Sequence, residues 1–126
     1  MPRTEPINVP IEEMPVEVAD GDLVTRYAEW GDLAVRHLDL PAGTDLAPVL
    51  KGLPDDRCVS PHWGMILEGA VHLEHADGRR DVAHAGQAYF WPAGHLAWTE
   101  QRTVFFEVGP LAEMRHVHEH ITGDGG

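Results

Sequence analysis

Cysteine is nearly absent: Cys58 stands alone in 126 residues. No intrachain disulfide can form, so the fold owes nothing to oxidation. Basic residues are also few, 9 against 21 acidic ones, and the formal net charge is −12. Nucleic acid and anionic membrane both demand basic patches, so neither is expected as a partner. No apolar run approaches the roughly twenty residues of a membrane span. The N-terminus, Met1-Pro2-Arg3-Thr4-Glu5-Pro6, lacks the apolar core of a signal peptide. Together these absences predict a cytoplasmic protein. There is no Gly-rich phosphate loop, no G-x-S-x-G elbow and no Ser/His/Asp set in a usable context.

What is present is histidine, turn residues and short strand-like runs. Nine histidines in a chain of this length mean that the negative charge softens below about pH 6.5. Residues 1–22 carry Pro2, Pro6, Pro10 and Pro15, which exclude a helix and fit an extended lead-in or edge strand. Residues 23–110 then alternate strand formers with turn signals every eight to twelve positions. Trp30-Gly31-Asp32 and Ala76-Asp77-Gly78 read as hairpin turns. Strands are expected over 23–30, 33–40, 44–50, 58–67, 70–75, 80–84, 87–91 and 103–108. No helical stretch intervenes, so the fold class is all-β, a single barrel or sandwich domain. Leu111, Met114, Val117 and Ile121 recur at helical spacing between Pro110 and Gly123, which predicts a short C-terminal helix over 111–122. Residues 123–126 are expected to form a disordered tail.

Two segments put a histidine among glycines and apolar residues. One is Pro61-His62-Trp63-Gly64-Met65-Ile66-Leu67-Glu68-Gly69; the other is Gly86-Gln87-Ala88-Tyr89-Phe90-Trp91-Pro92-Ala93-Gly94-His95. Side chains of a strand alternate faces, so a regular strand through His62 would also turn Ser60, Cys58 and Asp56 to its face. With His95 arriving from the second segment, the donors are O, S, N and N. That set suits tetrahedral zinc; without the thiol, two imidazoles and a carboxylate suit non-haem iron. Glu100, Glu107 and His84 are further candidates for a fourth ligand or a general base. Trp63 and Trp98 flank the motif histidines and are candidates for an apolar pocket wall. His116 and His120 lie four apart on the expected helix and could hold zinc weakly, but a polar helix face is the better account of them.

These motifs resemble those of the cupins, small β-barrels whose first motif reads G-x5-H-x-H-x3,4-E-x6-G and whose second reads G-x5-P-x-G-x2-H-x3-N. The likeness covers roughly residues 40–110. Matching Gly69 to the end of the first motif puts His62 at the usual glutamate position, with Asp56 and Cys58 at the two histidine positions. The second motif matches at Gly86, Pro92 and Gly94; its histidine comes two places early, at His95, and Ala97 fills the usual slot. The resemblance implies a double-stranded β-helix (jelly-roll) barrel, a homodimer, and a divalent transition metal, zinc or iron, inside the barrel. It does not transfer the usual three-histidine, one-glutamate site. The expectation is a metal site of His62 and His95 with Cys58 or Asp56 that binds a small molecule, with Trp63, Trp98, Ser60 and Glu100 around the pocket. Metal-assisted catalysis, non-catalytic binding or sensing, and a dimerisation unit with a vestigial pocket all remain open.

Overall fold

The computed structural model describes residues 2–123. Among these residues nine strands and two α-helices follow in chain order, with single 3-10 turns at Ile11–Glu13 and Pro54–Asp56. They are β1 (Val16–Asp20), β2 (Leu23–Trp30), β3 (Leu33–Leu40), α1 (Ala47–Leu50), β4 (His62–Glu68), β5 (Ala70–Glu74), β6 (Arg80–His84), β7 (Ala88–Trp91), β8 (Leu96–Trp98), β9 (Thr103–Pro110) and α2 (Leu111–Thr122). Two antiparallel sheets face each other: a six-stranded one ordered β1-β2-β3-β9-β4-β7 and a three-stranded one ordered β6-β5-β8. The turn spacing predicts the all-β class, the apolar spacing over 111–121 predicts the C-terminal helix, and the family resemblance implies the barrel; all three are present.

The core follows from strand alternation. β9 buries Thr103, Phe105, Glu107 and Gly109 and leaves the residues between them half covered. Leu38 and Leu40 of β3, Ile66 of β4, Phe105 of β9 and Trp91 of β7 meet Val71, Leu73, Ala83 and Ala97 of the smaller sheet. α2 closes one end: Val117 packs on Leu50, Leu53 and Cys58, while Met114 packs on Tyr27 and Ala34. Gly123, in the left-handed conformation, ends the helix. The rest of the expected tail, residues 124–126, lies outside the described residues.

Gly69 turns the chain from one sheet into the other. Its φ is +77°, and a Cβ there would sit 2.3 Å from the Arg102 carbonyl oxygen. Only glycine makes that corner.

Three local expectations are corrected. Residues 44–50 form no strand; Ala47–Leu50 is one helical turn with Pro48 in its first positions. Proline cannot donate to a ladder but is tolerated at a helix start, and Asp45 Oδ1 accepts the Ala47 N–H at 3.0 Å. The strand expected over 58–67 begins only at His62, because Pro61 has no N–H. Cys58 instead exchanges backbone bonds with the 94–95 loop (Gly94 N to Cys58 O, 2.7 Å; Cys58 N to His95 O, 3.3 Å). Leu96–Trp98 is a strand that the turn signals do not reveal, since three residues show too little alternation. Within the proline-rich lead-in, β1 forms the edge strand of the six-stranded sheet.

Candidate metal and ligand site

Inside the barrel, Cys58, His62 and His95 converge. Each is buried, and one ligand atom from each lies within 4.8 Å of the others. His62 opens β4 on its inward face. His95 enters from the loop between β7 and β8, and Cys58 from the segment held to that loop. Cys58 Sγ lies 3.3 Å from His62 Nε2, and the two imidazole centroids are 4.9 Å apart.

Burial sets their protonation. It pushes the Cys58 thiol up to about 12. Burial, with the Arg36 charge, pushes His62 down to about 3. Burial, with the neighbouring His62, takes His95 to about 4. At neutral pH both imidazoles are uncharged and carry free lone pairs. The N–H at His95 Nδ1 donates to the Pro92 carbonyl at 2.9 Å, which leaves Nε2 as the lone-pair nitrogen and fixes the ring as second-sphere bonds do at metal sites. His62 Nδ1 is the one buried side-chain N or O atom among the described residues without a hydrogen-bond partner.

A charged network adjoins these donors. Arg36 of β3 lies opposite Glu107 of β9 in register and donates to its Oε2 at 2.7 Å. Arg36 also grips both oxygens of Glu17 of β1, through Nε and Nη2, at 2.9 Å each. Thr25 Oγ1 donates to Glu17 at 2.8 Å, and His118 Nδ1 of α2 lies 2.6 Å from it. Burial would raise the Glu17 carboxyl, but the Arg36 charge and these bonds outweigh it, so Glu17 lies below its ordinary value. Glu107 accepts one Arg36 bond only; for it burial prevails and the carboxyl lies above its ordinary value. Glu107 Oε2 is 3.7 Å from His62 Nε2, which couples the network to the donor group.

A cavity of about 180 Å³ opens beside both. Leu23, Leu38, Leu50, Trp91 and Phe105 form much of its wall, and Val117 and Ile121 of α2 close part of it. Asp20 and Val49, both exposed, mark the rim.

The other sequence candidates lie elsewhere. Asp56 is exposed in a loop at φ +55°, and its Oδ1 accepts the Gly52 N–H at 2.9 Å. Once Pro61 ends the strand, alternation no longer carries Asp56 inward. Ser60 is fully buried but donates to the Pro61 carbonyl at 2.9 Å and does not line the cavity. Trp63 follows inward His62 and so faces out, stacked on Phe90. Trp98 follows inward Ala97 and stacks on His72 outside the barrel. The aromatic wall is Trp91 and Phe105 instead. Glu100 is exposed and pairs with His72 at 3.2 Å. His84 and His116 are exposed, and His120 is 2.8 Å from the Lys51 carbonyl; among the described residues none of the three joins a metal group.

Arg36 and Glu17 escape a reading of motifs, yet one sign of Arg36 is present in the sequence. It shares strand parity with Ala34, Leu38 and Leu40, a position where a lone charge demands a buried partner.

No protein-family model and no curated protein matches the chain. Solved structures do. An RmlC-like cupin from Shewanella frigidimarina superposes with a TM-score of 0.61 at 17% identity, over 87% of this chain and 94% of that one. KdgF from Halomonas sp. gives 0.57 at 13% identity, over 79% and 90% of the two chains. An oxalate decarboxylase from Bacillus subtilis gives 0.56 at 15% identity, over 86% of this chain and 31% of that one. What is shared with these proteins is the barrel.

Proposed function

We propose that this chain, whose fold is the cupin barrel, binds a divalent transition metal through Cys58, His62 and His95 and presents it to a small molecule in the adjoining cavity. The observation that carries this reading is the convergence of three buried donors, one of which holds an unpaired nitrogen. A buried polar atom without a partner costs about 1–3 kcal/mol, so it calls for a ligand. Two neutral imidazoles and one sulfur fit a soft or borderline metal, and zinc suits them better than iron. When bound, such a metal polarises a carbonyl or activates a water.

The test is elemental analysis of protein purified without chelator. The reading expects close to one equivalent, lost in His62→Ala. Less than about a tenth of an equivalent in the wild type, with uptake unchanged in His62→Ala, would remove it. Cobalt substitution then probes Cys58: a thiolate charge-transfer band is expected in the wild type and absent in Cys58→Ser.

Binding without turnover is the primary reading. Glu107 favours a catalytic one as well. Its carboxyl is buried, raised by that burial, steadied by Arg36, and close to His62, the properties of a group that takes or gives a proton. Turnover that falls in Glu107→Gln while metal content holds would support it.

Homodimerisation is a further part of the proposal. Sheets with one solvated face carry polar residues there. The outer face of the six-stranded sheet instead carries Trp63, Met65, Leu67 and Phe90, each about half exposed. Register sets Val108 and Phe106 beside Trp63 and Met65. Four large side chains of roughly 200 Å² each, half exposed, leave on the order of 400 Å² of apolar surface, about half of one side of a standard interface. A second copy turned about a two-fold axis would cover it. Light scattering is expected to give a dimer that Met65→Glu dissociates; a monomer at about 100 μM would overturn this. Among the described residues no helix is long and apolar enough to cross a membrane. The free Cys58 thiol suits the reducing cytoplasm.

A further inference from the structure

The cavity's charge says which molecules it takes, and the inference rests on the reading of this cavity as a ligand site. An anion site needs cationic N–H groups whose charge is not already committed. Arg36 is the one arginine or lysine in the lining. All three of its nitrogens are engaged: Nε and Nη2 by Glu17, Nη1 by Glu107. Its charge is thus shared between two buried carboxylates, and Asp20 adds a third carboxylate at the rim. A divalent metal on the Cys58 thiolate would add one net positive charge, which only offsets the single negative charge left over by Arg36 with Glu17 and Glu107. An entering carboxylate would therefore lose its water and find no unspent positive partner. The remaining wall is aliphatic and aromatic, and a space near 180 Å³ compares with a roughly 150 Å³ cavity that accepts benzene.

We propose that the cavity takes a small, uncharged, mostly apolar molecule of roughly six to nine non-hydrogen atoms with one polar head, and that it rejects carboxylates, sulfonates and phosphates. The head sits against His62 and His95; the apolar body lies between Trp91, Phe105 and the leucines.

The experiment is a near-isosteric series, benzyl alcohol, benzamide, benzoate and benzylammonium, titrated by calorimetry into metal-free and zinc-loaded full-length protein. Zinc content is measured on the same samples. At least one of the two neutral compounds is expected to bind, with benzoate and benzylammonium at least about a hundredfold weaker. Benzoate or benzylammonium binding as well as the better neutral compound would overturn the proposal. So would no binding by any of the four up to about 10 mM. Glu107→Gln returns part of the Arg36 charge to the cavity, so the disadvantage of benzoate should shrink at least about tenfold. Should that variant not fold, the wild-type series still decides. The outcomes separate from those of the metal reading. Neutral selectivity without zinc uptake would end the metal site and leave this inference standing; zinc uptake with preferred benzoate binding would do the reverse.

Discussion

Replacing Arg36 by methionine probes the buried network most directly. The side chain is 4% exposed and joins Glu17, 1% exposed, to Glu107, 5% exposed. Methionine keeps most of the apolar stem and removes the guanidinium. Glu17 then loses a two-pronged partner and Glu107 its only hydrogen-bond donor, and both carboxylates stay behind in the interior. Breaking a buried pair from one side costs about 3–5 kcal/mol, because the remaining charge is left unpaired. For a chain of this size, roughly 3–5 °C of midpoint is lost per kcal/mol, so Arg36→Met should melt about 9–25 °C lower. Urea unfolding followed by tryptophan fluorescence at pH 7.5 measures the loss. The second arm replaces all three residues, Glu17→Met, Arg36→Met and Glu107→Leu, which removes the charges together. Such replacements are often neutral or stabilising, so the triple variant should recover most of the lost stability. A loss under about 1 kcal/mol in Arg36→Met, or a triple variant no more stable than the single one, would refute the reasoning.

Three other predictions follow from named groups. His62 and His95 are held neutral, at about 3 and about 4 against an ordinary 6.5. The unfolded chain therefore binds protons first: metal-free stability should start to fall as pH drops below about 6.5 and level off only below the folded values. A flat stability between pH 7 and 5 would contradict this. Cys58, buried and raised to about 12, should resist a disulfide reagent at pH 8 and react fully once unfolded; rapid reaction of the native protein would show that the thiol is open. Gly64→Ala would set a Cβ 2.0 Å from the Phe106 carbonyl oxygen and 2.6 Å from the Tyr89 hydroxyl. It should cost at least about 3 kcal/mol in the same urea assay, and a near-neutral result would mean that β4 and β9 part more easily than their packing indicates.

Much of the barrel was legible because its signals are local. Alternation predicts β2, β3, β5 and β9, paired turn residues such as Gly31-Asp32 and Asp77-Gly78 predict the hairpins, and the Leu111–Ile121 spacing predicts α2. The short elements were not legible. Pro48 turns residues 47–50 helical, and β8 is held mainly by its pairing with β5. Within the site, the motifs themselves point to His62 and His95. Cys58 reaches them not through strand alternation but through backbone bonds to the 94–95 loop.

By itself the sequence determined an acidic, disulfide-free, all-β chain with histidines at the start of one strand and after a Pro-Ala-Gly turn, because composition and nearest-neighbour sterics act within a few residues. Only the tertiary structure decided which donors meet and what charge surrounds them. Arg36 and Glu107 are 71 positions apart, and Arg36 and Glu17 are 19 apart. They become partners because β3 lies between β2 and β9 while β1 pairs with β2 at the edge of the same sheet. Strand pairing, which no local pattern encodes, thus turned a list of possible metal ligands into three converging buried donors beside a mostly apolar cavity whose one arginine is paired with two carboxylates.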